Sequence, residues 1–321
     1  MFDESWLGYI FVDVDDEFCG KETILYDDVV LRNATLEELT HHFDFHLDSY
    51  WKLRGGDAEY FAYGRTEKEG VTVKPIDDKT KWKHFVIECK NKNVNPNDLN
   101  HIFSMSKADF RMGYICFDGK KHSNPWSNWT QLDKWVISPF TYNEKIKFSE
   151  VSELKLNIKD FFAKDAEQKH LRLLYMFEYL DNMVDSSPFK YLGYFSILEG
   201  LLTHKPNSSD NVDSIQKQLI RNINLINNRV IVSGREGMNI KFFSTLKLKT
   251  IFQKLYALRS DIAHGGDYSE SIDPVISLIS RKDPQKEIDI YKIFNWLREL
   301  TKMLLMYSFV EPQLYLDLTK T

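Results

Sequence analysis

Past residue 165 the apolar positions of this chain recur every three or four residues, the spacing of one helix face. Leu173, Phe177 and Leu180 mark a first helix. Tyr191, Tyr194, Phe195, Leu198 and Leu202 mark a second, opened by Ser187-Pro188. Val212, Ile215, Leu219, Ile223 and Ile226 mark a third, followed by a glycine-bearing loop at 233–237. Ile251, Leu255, Leu258 and Ile262 mark a fourth, which Gly265-Gly266 ends. Ile290, Phe294, Leu297 and Leu304 mark a fifth. This half predicts an all-α helical bundle over 165–321.

The first half has a different texture. Residues 6–14 and 23–31 read as strands from their β-branched and aromatic content. Thr35 and Glu38 form a capping box, and Leu39, Phe43, Leu47 and Tyr50 continue one helical stripe. Strand-like runs follow at 59–63, 71–76 and 83–89. Asn95-Pro96 opens a second helix with Leu99, Ile102 and Phe103 inward, and 113–117 reads as a buried strand. The order predicts an α/β domain over 1–152, a mixed sheet flanked by helices. Residues 150–165 are charged and weakly patterned, and the domain boundary is expected there.

Composition narrows the class. A chain of 321 residues has room for two domains, and 43% hydrophobic with 14% aromatic residues is enough for packed cores. The formal charge of −5 is unevenly spread. The first 60 residues hold 15 acidic against 4 basic side chains, a balance of −11. That start argues against a protein that coats DNA with a basic stripe. Cys19, Cys89 and Cys116 are odd in number and widely spaced, so neither a disulfide framework nor a CxxC zinc pattern follows. A reducing cytoplasm is the expected compartment. The first residues lack a basic signal-peptide region, and no apolar run is long enough to span a membrane.

Candidate chemistry lies in two places. In the second half, Leu255-Tyr-Ala-Leu-Arg259-Ser-Asp-Ile-Ala-His264-Gly-Gly266 carries a cation and an imidazole at one helix end. Five residues separate Arg259 from His264, about 140° of rotation and about 7.5 Å of rise on an ideal helix. They share a face only if the helix stops at the histidine, which Gly265 permits by taking a left-handed conformation. A helix C-terminus favours a cation, which suits a histidine acting as acid and base. Glu199 is a candidate to pair with and orient Arg259.

This segment resembles the R-x(4–6)-H motif of the HEPN superfamily, and with Phe195-Ser-Ile-Leu-Glu199-Gly before it looks most like the Apea-like branch. The resemblance covers roughly 165–321. It implies a helical bundle that forms a homodimer with a composite site, and metal-independent RNA cleavage of the kind used in prokaryotic defence, with no cofactor. By that resemblance His264 moves the proton of the ribose 2′-OH or of the leaving oxygen, and Arg259 holds the phosphate. Ser260 stands where the superfamily often has Asn, Asp or His.

In the first half, Glu88 and Lys90 are two apart at the end of an apolar strand and so point to one face. Asp57 and Glu59 are also two apart. Converging carboxylates can hold Mg²⁺ through oxygen ligands while a lysine assists. Gly-Asp57-Ala-Glu59-Tyr-Phe-Ala followed by Phe-Val-Ile-Glu88-Cys-Lys90 resembles the PD-(D/E)xK restriction-endonuclease-like superfamily over about 35–120. That implies Asp57, Glu59 and Glu88 as metal ligands, with Glu88 and Lys90 catalytic. His42 and His46 are spaced for a zinc pair, but no third ligand accompanies them, and packing histidines are the expectation.

The combined expectation is a nuclease of a prokaryotic defence system. Arg259, His264 and Glu199 would cut RNA, tRNA among the candidate substrates, and the first domain would add a Mg²⁺-dependent cut or sense a trigger. Two alternatives stand beside it. One is a non-catalytic nucleic-acid-binding or regulatory protein. The other is a Mg²⁺-dependent DNA endonuclease that uses the bundle only to dimerise.

Overall fold

The computed structural model describes residues 5–10, 14–18, 21–35, 37–38, 85–91, 93–110, 112–117, 126–127, 146–163, 168–181, 183–184, 187–205, 213–238, 243, 246–266, 268–282 and 289–320. The chain divides into two compact units, Met1–Ile158 and Lys159–Thr321.

The first unit is built on strands β1 (Trp6–Ile10), β2 (Thr23–Tyr26), β3 (Val29–Asn33), β4 (Phe85–Cys89), β5 (Met112–Phe117) and β6 (Trp126–Ser127), with helix α1 (Pro96–Ser104). They form one sheet in the order β2-β3-β4-β1-β5-β6. Every ladder in it is antiparallel. The mixed sheet expected from sequence is therefore corrected: among the described residues the one parallel contact is an isolated bridge, Val14 to Ile146. The run 23–31 is not one strand but a hairpin, β2 turning into β3 at Asp27 and Asp28. Asp27 takes φ +35°, a left-handed conformation that a short polar side chain tolerates better than most. Of the strand expected over 6–14, β1 covers Trp6–Ile10, and residues 11–13 fall outside the described residues.

β4 lies inside the sheet between β3 and β1, so Phe85, Val86, Ile87 and Cys89 are all buried while Glu88 is half-buried. Helix α1 begins as its sequence predicts. Asn95 caps it by accepting from the Asn97 amide at 2.8 Å, and Pro96 occupies the first turn, where no amide donor is needed. Leu99, Ile102 and Phe103 are fully buried. The Thr35/Glu38 capping box is present: the Glu38 amide donates to Thr35 Oγ1, and the Thr35 amide donates to Glu38 Oε2. The rest of that predicted helix, and the strands expected at 59–63 and 71–76, fall outside the described residues.

Helix α2 (Val151–Phe162) occupies the stretch expected to be a weakly patterned boundary. Its Val151, Leu154 and Ile158 form one buried stripe, hidden in the sequence by the intervening Glu153 and Lys155. The division between the two units falls inside this helix.

The second unit holds α3 (Gln168–Asp181), α4 (Pro188–Leu202), α5 (Ile215–Val232), α6 (Leu248–Ala263), α7 (Tyr268–Lys282), α8 (Ile290–Val310) and α9 (Pro312–Thr319). α4 is its centre, with α3, α5, α6, α8 and α9 packed around it. Such a helix is apolar nearly all round, and α4 buries Tyr191, Tyr194, Phe195, Ile197, Leu198, Leu201 and Leu202. α3 crosses it closely because Gly193 meets Leu180 with no side chain between them; a Cβ there would overlap the leucine. α7 and α9 were not foreseen. Pro274 inside α7 reads as a helix breaker, yet Ile272, Val275 and Ile279 are buried along it. No helix among the described residues is long and apolar enough to cross a membrane.

Candidate functional site

The second-unit site is assembled from α4 and α6. Leu248, Ile251, Phe252, Leu255 and Leu258 bury one face of α6. The Tyr191 hydroxyl of α4 donates to the Leu255 carbonyl at 2.7 Å and fixes the two helices together inside the core. One turn further along α6, Arg259 leans toward α4. Its Nη2 donates to Glu199 Oε2 at 3.3 Å, and the guanidinium stands 5.6 Å from the centre of the Tyr256 ring. Tyr256 in turn meets Phe195 edge-on. The Tyr256 phenol is held above its ordinary range, first by burial and then by the charge of Glu199, with Arg259 opposing.

α6 ends as the glycine pair predicts. His264 is the C-cap, and Gly265 follows with φ +79°. The Gly266 amide donates to the Asp261 carbonyl at 2.8 Å and the Gly265 amide to Ile262 at 3.1 Å, the two bonds of a Schellman motif. The stop leaves His264 exposed at the tip. Among the described residues its imidazole has no hydrogen-bond or ion-pair partner. Within one chain the structure thus brings Arg259 to Glu199 and Tyr256, and leaves His264 open to solvent.

Arg259 is bonded differently from two other half-buried arginines, Arg298 and Arg32. Arg298 of α8 grips Asp181 of α3 with Nε at 2.5 Å and Nη2 at 2.8 Å. Arg32 grips Glu38 at 2.7 and 2.9 Å and reaches Glu88 with Nε at 2.8 Å. Arg259 has one long contact, while its Nε and the Oε1 of Glu199 are buried without a hydrogen bond. Buried polar atoms left open this way are uncommon in folded proteins and call for a reason.

The first-unit site comes out otherwise. Glu88 lies on β4 and Lys90 just beyond it, on one face as expected, with Lys90 Nζ 3.1 Å from Glu88 Oε1. The other oxygen of Glu88 accepts from Arg32 of the neighbouring strand β3. Arg32 first, then Lys90, holds the Glu88 carboxyl below its ordinary range, against the effect of burial. Both carboxylate oxygens are thus engaged by the protein's own cations, which would compete with a metal for Glu88. Asp57 and Glu59, like His42 and His46, lie outside the described residues.

Two neighbours of these sites escaped the sequence reading. Arg32 is 56 positions from Glu88, and only the pairing of β3 with β4 joins them. Tyr256 had a local signal, an aromatic three positions before the arginine on the same helix face. Compared with models of protein families, with curated proteins and with solved structures, the chain matches none.

Proposed function

We propose that this chain is a metal-independent endoribonuclease, a HEPN-like nuclease of the prokaryotic defence type, in which Arg259 holds a phosphate and His264 moves protons. The observation that carries this reading is the under-bonded Arg259. A purely structural arginine at this depth would be expected to close on its carboxylate twice, as Arg298 does. Arg259 instead keeps most of its donors unspent beside a half-buried Glu199 and a tyrosine ring. A phosphate oxygen is an acceptor that suits them.

The chemistry is balanced without a metal. The His264 imidazole accepts the proton of a ribose 2′-OH, and the freed oxygen attacks the adjacent phosphorus. The bond from phosphorus to the 5′-oxygen breaks, and that oxygen takes a proton from an imidazolium. The products are a 2′,3′-cyclic phosphate and a 5′-OH. Arg259 offsets the charge that gathers on the phosphoryl oxygens. The two roles fall to different chains in a homodimer, since Arg259 leans over α4 while His264 stands exposed at the tip of α6. In this reading the first unit recognises a trigger, because Arg32 already engages Glu88.

The test is cleavage of mixed tRNA by the purified protein in EDTA and, separately, in Mg²⁺. Cutting is expected in both buffers, with cyclic-phosphate ends, and is expected to vanish in His264→Ala. Cutting seen only with Mg²⁺, or unchanged in His264→Ala, would overturn the reading.

A further inference from the structure

Two arginines of the second unit share one kind of surroundings and are bonded differently. Arg298 stands 5.9 Å from the centre of the Phe177 ring and closes on Asp181 with both Nε and Nη2. Arg259 stands 5.6 Å from the centre of the Tyr256 ring and meets Glu199 with Nη2 alone. Each is a guanidinium over an aromatic ring beside a carboxylate. A ring next to the guanidinium therefore does not prevent a double grip. The longer arm of Glu199 does not explain the difference either, since it gives more reach than that of Asp181. What remains is the hydroxyl that Tyr256 carries and Phe177 lacks.

Tyr256 is held where that hydroxyl bears on Glu199. Tyr256 and Arg259 are three apart on α6, Phe195 and Glu199 four apart on α4, and the two pairs meet across the helix contact. The buried Phe195 ring stands edge-on to Tyr256, 5.9 Å between centres, and fixes it from the core side. After burial, the charge of Glu199 does most to raise the Tyr256 phenol, so the two groups feel each other. The second oxygen of Glu199 is buried and is not taken by Arg259.

We propose that Tyr256 is a positioning residue: its hydroxyl competes with Arg259 for the carboxylate of Glu199, so that the guanidinium does not close on both oxygens and keeps donors for a phosphate. The role rests on the ribonuclease reading and adds a residue which that reading does not use. A phenol suits the task. It stays protonated at working pH, and it shares a carboxylate without bringing a second positive charge to repel the arginine.

The test is Tyr256→Phe, which turns the surroundings of Arg259 into those of Arg298 and keeps the ring. A crystal structure of the variant should show Arg259 closed on Glu199 through Nε and Nη2, and kcat/KM for RNA cleavage should fall about tenfold with the thermal midpoint little changed. With Glu199→Gln already in place, Tyr256→Phe should add no further loss, because an amide offers the arginine only one oxygen to close on; a merely structural tyrosine would give losses that multiply. An arginine that keeps its single contact in the variant, or one that closes with kcat/KM undiminished, overturns the role of Tyr256 and leaves the ribonuclease reading standing. If the unaltered chain does not cut RNA, that reading falls and the role falls with it.

Discussion

Arg259 reaches Glu199 through a single contact of 3.3 Å and leaves its own Nε buried without an acceptor. The pair therefore holds the arginine in place without saturating it. If its role is to aim the guanidinium at a phosphate, removing the charge of Glu199 should affect turnover more than folding. Glu199→Gln is expected to lower kcat/KM for RNA cleavage about tenfold, equivalent to about 1.4 kcal/mol, with little change in thermal midpoint. Arg259→Lys should lose nearly as much activity as Arg259→Ala, because an ammonium lacks the planar fork. Steady-state kinetics with a parallel melting curve checks both. A Glu199→Gln protein with normal kcat/KM and a lowered midpoint would make the pair a structural tie only.

The pair between Arg298 and Asp181 has the opposite character. It is bidentate, Asp181 is almost wholly enclosed, and it joins α8 to α3. Burial works against the Arg298 charge, but the bonds to Asp181 outweigh it and hold the arginine above its ordinary range. Removing Asp181 leaves the mostly buried Arg298 with only its carboxylate contact to Glu299, 2.6 Å from Nη1. Asp181→Ala should cost about 2–4 kcal/mol in urea unfolding, and the double change Asp181→Ala/Arg298→Met should recover part of it. Losses that simply add in the double variant would show that the two groups do not depend on each other.

Much of the second unit was legible because its signals are local. Apolar stripes located the helices, and the glycines after α6 marked its end, whereas the caps at Ser214, before α5, and Asp289, before α8, went unread. Where local signals mislead, the packing prevails. Pro274 sits inside α7 because Ile272, Val275 and Ile279 gain more from burial than the helix loses at one missing donor. The β2–β3 hairpin was hidden because Asp27-Asp28 lacks the glycine that usually marks so tight a turn. In the second unit, residue types and spacing anticipated the pairing of Arg259 with Glu199 and the end of α6 at His264. The state of Glu88 was unreadable, because Arg32 reaches it only through the register of β3 on β4, a long-range pairing that no local pattern encodes.

His170 supplies the pH dependence. Its ring is 1% exposed, lies edge-on to Phe309 of α8 and Tyr315 of α9, and leaves Nδ1 without a hydrogen bond. Burial, with Lys169 adding to it, brings the imidazole down from 6.5 to about 4. Between those values the unfolded chain binds a proton that the folded chain refuses. The stability that the neutral ring permits is therefore whole above about pH 6.5 and is lost as the pH falls toward 4, by about 3 kcal/mol at most. Carboxylates held low by partners, Glu38 and Glu88 among them, act in the same direction. The contribution of His170 must therefore be read as a difference between two proteins. Urea unfolding of His170→Phe should give a flatter stability profile from pH 7 to 4.5 than the unaltered chain, with the difference between the two curves becoming constant above about pH 6.5. Parallel profiles across that range would mean that the ring finds a way to charge inside the folded unit.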